Sequence, residues 1–270
     1  MYMSRVSELG GAFRAEFLMQ IRRASVWVTI GLLGLIIFAL WYGFAAVSLH
    51  PHFNSEQHIW EPASQSDAIL GWAQLLAMFL PLGVGLVLAD RLARDRRLHV
   101  DEILATQPGS LGARLAGKWL GSTLATFVPV ALIYAAVVFY IVTQAPGLGG
   151  LALALAAFAA ILLPGMLFVA GFSVAIPAVM KTPVYQFLFT GYWFWANLMS
   201  PKIGIPSVVS TMLNAAGPWA QEGIFNFQWT FLQLHATPLQ GYLSIAVLSG
   251  LGILAVAIAW VYLRWQAARQ

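Results

Sequence analysis

Gly112-Ala113-Arg114-Leu115-Ala116-Gly117-Lys118 spells the GxxxxGK core of a phosphate-binding loop. Such a loop cradles phosphates with backbone N–H groups, and it needs a Ser or Thr next to hold Mg²⁺ and a strand before it. Trp119 occupies the Ser/Thr position, and the segment leads into a long apolar run. Nucleotide chemistry is therefore not expected here, and Lys118 reads as an anchor at the inner membrane interface. A second candidate chemistry is metal binding, because His50, His52 and His58 crowd one stretch with Glu56 and Glu61. Imidazole and carboxylate suit zinc or copper, and His50 and His52, two residues apart, would share one face of a strand. No group that would orient the rings can be inferred, and the Pro, Asn and Ser between them describe a solvated loop. The expected metal complement is none.

Catalytic constellations are missing as well. The chain has no HExxH or GxSxG motif and no DxD-type acidic pair near an apolar run. With no cysteines, thiolate nucleophiles, thiolate metal sites and disulfides drop out together. No catalytic or cofactor-binding residue is expected, and the chain does not read as an enzyme.

The elements that would position any site follow from composition. Of the 270 residues 60% are hydrophobic and 9% charged, against roughly 25% charged in a soluble domain. Mean hydropathy is +0.78. So few charges cannot cover a water-exposed surface, and disorder needs the opposite composition. The solvent must be lipid. A net charge of +4 is too small to argue for nucleic acid. Uncharged apolar runs occupy 25–47, 68–89, 119–142, 151–180, 184–200 and 241–263. A helix needs about 20 residues to cross a bilayer core of roughly 30 Å, and the runs lack the two-residue alternation of barrel strands. The expected fold is an all-α membrane protein: a single domain over 1–270 with six transmembrane helices. Pro164 and Pro177 should kink or end the fourth run, and the fifth is short, with Pro183 at its start.

Charge placement sets the orientation. Of the 14 basic residues only Lys202 falls on one side of a six-span layout, so the positive-inside rule puts both termini in the cytoplasm. The leader at 4–23 carries Phe13, Phe17, Leu18 and Ile21 at helical spacing, with Arg14, Glu16, Arg22 and Arg23 at the other positions. It reads as an interfacial amphipathic helix rather than a cleaved signal, since the run that follows exceeds the 7–15 residues of a signal core. No Asp, Glu, Lys, Arg or His lies within the six runs. Intramembrane ionisable groups mark proton relays and ion-coupling sites, so a self-powered, proton-driven carrier is disfavoured. Thr29, Gln74, Ser122, Thr123, Thr126, Ser173, Gln186, Thr190 and Asn197 are the polar groups left inside, and each is most simply an interhelical hydrogen bond.

The stretch 90–118 is the most informative. Arg91, Arg94, Asp95, Arg96 and Arg97 give way to a short face of Val100, Ile103 and Leu104 beside Asp101 and Glu102. Gln107-Pro108-Gly109-Ser110 should end that helix, and a new one should resume at Leu111. A short displayed helix with an acidic and apolar face suits docking on a soluble partner or lying on anionic lipid.

Asp90-Arg91, the run Val100-Asp101-Glu102-Ile103-Leu104-Ala105-Thr106-Gln107-Pro108, and Gly117-Lys118 at the entry to the third span together resemble the permeases of type-2 ATP-binding-cassette (ABC) exporters. That family has an E-R pair, then a G-T-x-E-x-L-L-A-T-P-x-S run, then G-K. Here His99-Val100 stand in place of Gly-Thr, and Gln107 is inserted before Pro108. The resemblance implies a division of labour. Val100, Asp101, Glu102, Ile103, Leu104, Ala105 and Thr106 would form a coupling helix seated on a separate ATPase subunit, which alone would bind ATP and Mg. The leader would pack against the same subunit. Two permease copies, as a homo- or heterodimer, would enclose a path from the second and fifth spans, with Gln74, Tyr192, Trp195 and Asn197 as lining candidates. The outer segment 201–239 would form short re-entrant helices capping it. The expected location is the plasma membrane of a prokaryote, as a multi-pass protein among lipid. A stand-alone secondary carrier or channel is the alternative.

Overall fold

Proline, glycine and charge divide the apolar runs where the helices end. The computed structural model describes residues 5–49, 52–54, 59–61, 64–97, 110–144, 149–199, 204–227 and 234–269. Among them the elements are α1 (Arg5–Ile21), α2 (Ala24–Leu49), a hairpin of β1 (His52–Asn54) and β2 (Ile59–Glu61), α3 (Gln65–Arg97), α4 (Leu111–Gln144) and α5 (Gly149–Ala157). A π turn (Phe158–Leu162) then leads to α6 (Leu163–Ala175), a 3-10 turn (Ile176–Ala178), α7 (Thr182–Asn197), α8 (Pro218–Phe225) and α9 (Pro238–Ala267).

Among the described residues five segments are long and apolar enough to cross a membrane: Ala24–Gly43, Gln65–Arg91, Leu111–Gln144, Gly149–Ala178 and Pro238–Gln266. The run at 184–200 becomes α7, a helix of 16 residues. At 1.5 Å per residue it is about 24 Å long, less than the hydrocarbon thickness. The prolines act as expected in the fourth run. Pro164 has no N–H to offer the preceding turn, and the backbone widens into the π turn just before it. Pro177 sits in the 3-10 turn that ends the span. Pro81 and Pro129 lie inside α3 and α4 without ending either.

The hub is α3. Trp72, Leu76, Leu80, Val84 and Leu88 recur every fourth residue and are all completely buried. They pack with Ile30, Ile37 and Trp41 of α2, Val130 and Tyr134 of α4, and Ile161 in the π turn. The Trp41 ring meets Trp72 edge-on at 5.7 Å. Outward, α2 exposes Leu32, Leu35 and Ile36, and α9 exposes Leu243, Ile253, Leu254 and Ile258. Inside and outside are equally apolar, so close approach and hydrogen bonds must hold the helices together. At the α6–α9 crossing Gly171 and Gly252 lie backbone to backbone: a Cβ on Gly171 would stand 2.1 Å from the Gly252 carbonyl oxygen.

The leader helix α1 lies along the start of α4. Gly117 and Gly121 form a GxxxG face beneath it, where a Cβ on Gly121 would meet the Phe13 carbonyl oxygen at 2.6 Å. Gly117 of the phosphate-loop look-alike is therefore a packing residue.

Candidate functional site

Two places gather the residues that sequence reasoning singled out. The first is the charged end of the bundle, where α1 meets α3 and α4. Ser110 is the N-cap of α4, its Oγ accepting from the Ala113 N–H at 3.2 Å, and its own N–H donates to the Glu8 carboxylate of α1 at 3.0 Å. Two turns further along α1, Glu16 is buried, 7% exposed, and its carboxylate accepts from the Arg91 guanidinium. The Lys118 ammonium lies 3.8 Å from the other Glu16 oxygen. Arg23 donates to Asp90 at 3.0 Å. Gln20, fully buried, donates to the Thr126 hydroxyl at 3.3 Å. The amphipathic pattern put Glu16 on the polar side of the leader; the structure turns it inward and leaves Leu18 exposed. Lys118 is no free interface anchor: its charge faces Glu16.

These contacts hold α1 to both flanks of the 98–109 loop, with Asp90 and Arg91 before it and Ser110 and Lys118 after it. The loop itself, including the coupling candidates Val100, Asp101, Glu102, Ile103, Leu104, Ala105 and Thr106, lies outside the described residues.

The second place is α7. It is pinned to α3 by two side chains that donate to backbone carbonyls: the buried Trp193 indole to Met78 at 2.8 Å and the Gln186 amide to Leu86 at 3.1 Å. Its other side carries exposed Val184, Phe187, Leu188, Phe194 and Trp195. A groove of about 770 Å³ runs between α7 and α3, bordered by Leu86, Gln186, Thr190, Gly191, Tyr192 and Trp195. It brings together two of the four path candidates, Tyr192 and Trp195, whose rings lie 6.1 Å apart. The Trp195 indole donates to the Pro206 carbonyl at 2.9 Å, tying α7 to the outer segment.

The other two candidates are elsewhere. Gln74 is 2% exposed on the packed face of α3, and its Oε1 has no hydrogen-bond partner among the described residues. Asn197 is buried and bonded through both amide atoms: its Nδ2 donates to the Trp193 carbonyl at 3.0 Å, and its Oδ1 accepts from the Ala215 N–H at 2.8 Å. Removing that side chain leaves a buried N–H without an acceptor, at about 1–3 kcal/mol. Asn197→Ala should therefore lower the melting temperature in detergent, while Tyr192→Phe should leave it unchanged, as differential scanning fluorimetry would show.

Of the remaining polar candidates, Ser173 and Gln186 bond across helices, to the Tyr185 hydroxyl and to Leu86. Thr190 and Ser122 bond back into their own helices. Gln186 and Thr190 belong to the groove, which sequence reasoning did not foresee; an apolar run on every side of α7 carries no signal of which face stays open. Phe168 and Phe172 of α6 likewise line a second, apolar cleft together with Tyr185 and Phe189 of α7 and Leu251 of α9.

The hairpin register sets His52 across from Glu61. His50, Glu56 and His58 lie outside the described residues. Among the described residues no group of three His, Cys, Asp or Glu could hold a metal ion. The described stretch 204–227 is partly helical: α8 begins after Gly217, whose φ of +76° favours glycine, and its Ala220, Gln221 and Glu222 are buried. The Gln221 amide approaches the Leu70 carbonyl of α3 at 3.4 Å. The chain matches no family model, no curated protein and no solved structure.

Proposed function

We propose that the chain is the membrane-spanning permease subunit of an ATP-binding-cassette exporter, driven by ATP hydrolysis on a separate nucleotide-binding subunit. The observation that carries this reading is the clamp at the charged end. Glu8 and Glu16 of α1, with Arg23 in the link to α2, grip residues on both sides of the one loop rich enough in charge to dock a soluble partner. A push on that loop is then delivered to α1, α3 and α4 together, and closure of the ATPase biases the permease between inward- and outward-open states. Such a bias requires different ATPase contacts in the two states. The scarcity of ionisable groups within the spans agrees with an external energy source.

In this reading α7 is the fifth span, both termini are cytoplasmic, and a second permease copy faces its exposed side, the path running along the groove beside Tyr192 and Trp195. A groove without charge suits an amphipathic, lipid-like or drug- or peptide-like substrate. A stand-alone carrier would be expected to break its helices at matching positions in the two halves. The π turn at Phe158–Leu162 has no counterpart within α2, α3 or α4.

The test is Glu102→Arg in the native membrane. Export and ATPase co-purification should both fall sharply, with the spans still folded by size-exclusion chromatography. Wild-type export with full co-purification would remove the coupling helix from the reading.

A further inference from the structure

The side of α1 turned to α4 carries Glu16 and Gln20, one turn apart and both buried, beside the close backbone approach at Gly117 and Gly121. The opposite side is left uncovered. Arg14, Leu18 and Arg22 follow one another along it at the four-residue spacing of a helix face, with Ala15 and Met19 next to them, and all five are exposed. The acids are withdrawn from this surface. The two in α1 are both engaged within the protein, Glu16 by Arg91 and Lys118 and Glu8 by the Ser110 N–H. Asp90 is taken by Arg23. Among the described residues no acid pairs with Arg14 or Arg22.

The link to α2 sets the level of this face in the membrane. Only Arg22 and Arg23 separate the two helices, and the Trp27 indole, in the first turn of α2, donates back to the Ile21 carbonyl at 2.7 Å. The stretch Ala24–Gly43 is long and apolar enough to cross a bilayer, so its first turn lies at a membrane boundary. The end of α1 is held at that boundary too. Leu18 is about 5 Å from Ile21 along the helix axis. With Met19 and Trp27, 53% and 40% exposed, it makes an apolar rim beside the two guanidiniums. Apolar side chains bare at that level meet acyl chains, while long arginine stems carry their charge to the phosphates. An uncovered face that is basic and apolar without acid is the composition that anionic bilayers bind.

We propose that this face of α1 binds the anionic phospholipid headgroups of the leaflet at the charged end of the bundle, with Arg14 and Arg22 holding phosphates about 12 Å apart. The fold makes the surface selective by turning Glu16 into the bundle, where its charge no longer offsets the arginines. The site needs no ATPase, so it stands or falls apart from the transport reading.

Because the chain has no cysteine, Met19→Cys can carry a single bimane fluorophore at this face, and Ile253→Cys one on the exposed side of α9. Each labelled full chain is placed in phosphatidylcholine vesicles doped with a small, equal fraction of phosphatidylglycerol or phosphatidylcholine bearing a nitroxide near the top of one acyl chain. At Met19 the anionic lipid should quench several-fold more strongly than the zwitterionic one, and at Ile253 the two should quench alike. Arg14→Gln with Arg22→Gln should bring the Met19 ratio close to one, whereas Arg14→Lys with Arg22→Lys should keep it. Salt at about 1 M, where the screening length is about 3 Å, should also remove the preference, and this arm needs neither arginine replaced. Equal quenching by the two lipids at Met19 overturns the proposal, as does a preference that the glutamine pair or salt leaves intact. So does a Met19 bimane that aqueous iodide quenches and neither lipid does, which would mark a face open to a soluble partner.

Discussion

Glu16→Ala should destabilise the protein by about 3–5 kcal/mol, the usual result of removing one partner from a buried ion pair. Glu16 is the only acid among the described residues that faces both Arg91 and Lys118. Those two cations sit at side-chain exposures of 5% and 12%, so deleting the carboxylate removes the counter-charge they share. The converse change is milder. Arg91→Ala still leaves Lys118 beside Glu16, so the anion keeps a counter-charge. The expected order of damage is therefore Glu16→Ala, then Arg91→Ala, then Glu16→Gln, which keeps the shape and a hydrogen-bond acceptor. The double variant Glu16→Ala with Arg91→Ala should cost less than the sum of the singles, since contacting residues couple by about 0.5–3 kcal/mol. Thermal unfolding of the purified protein in detergent checks all four. Equal and additive losses would mean that the three charges do not act as one cluster.

Gly252→Ala and Gly250→Ala should differ in sign although the positions are two residues apart on α9. A Cβ on Gly252 would meet the Leu167 carbonyl oxygen at 2.5 Å, whereas one on Gly250 meets nothing within 4 Å. Alanine gains up to about 1 kcal/mol over glycine in an unobstructed helix, so Gly250→Ala should be neutral or stabilising. Gly252→Ala must open the α6–α9 crossing, at about 1–3 kcal/mol of overpacking. Gly171→Leu, on the facing helix, places a whole side chain against backbone and should prevent α9 from docking. In lipid no hydrophobic gradient pulls the helices together, so lost contact is not replaced by some other burial. Fluorescence-detected size-exclusion chromatography should show a monodisperse peak for Gly250→Ala and an aggregated or absent one for Gly171→Leu. A normal peak for Gly171→Leu would mean that the two glycines do not set the helix separation.

Much of the architecture was legible in run lengths and punctuation. The resumption of helix at Leu111, the disturbance near Pro164 and the end of the fourth run at Pro177 were all read from residue type, because proline and glycine act within one helical turn. The run at 184–200 was apolar enough to suggest a span but folds as a helix of only 16 residues. Hydropathy counts apolar residues and does not see where Asn197 and its bond to Ala215 turn the chain away. For the path candidates, Tyr192 and Trp195 share a groove, while Asn197 serves packing. Nothing in residue type separates an amide that lines a path from one that ties two segments together.

The sequence by itself determined the solvent of this protein and the positions of its helices, since 9% charge and long uncharged runs are properties of neighbouring residues. Which side of each helix turns inward was decided only by the tertiary structure. Glu16 finds its guanidinium partner 75 residues away, and Gly171 meets Gly252 across two helices. In a bundle whose inside is no more apolar than its outside, hydrophobic periodicity cannot mark the buried face. Backbone contact and a few polar bonds between distant segments mark it instead.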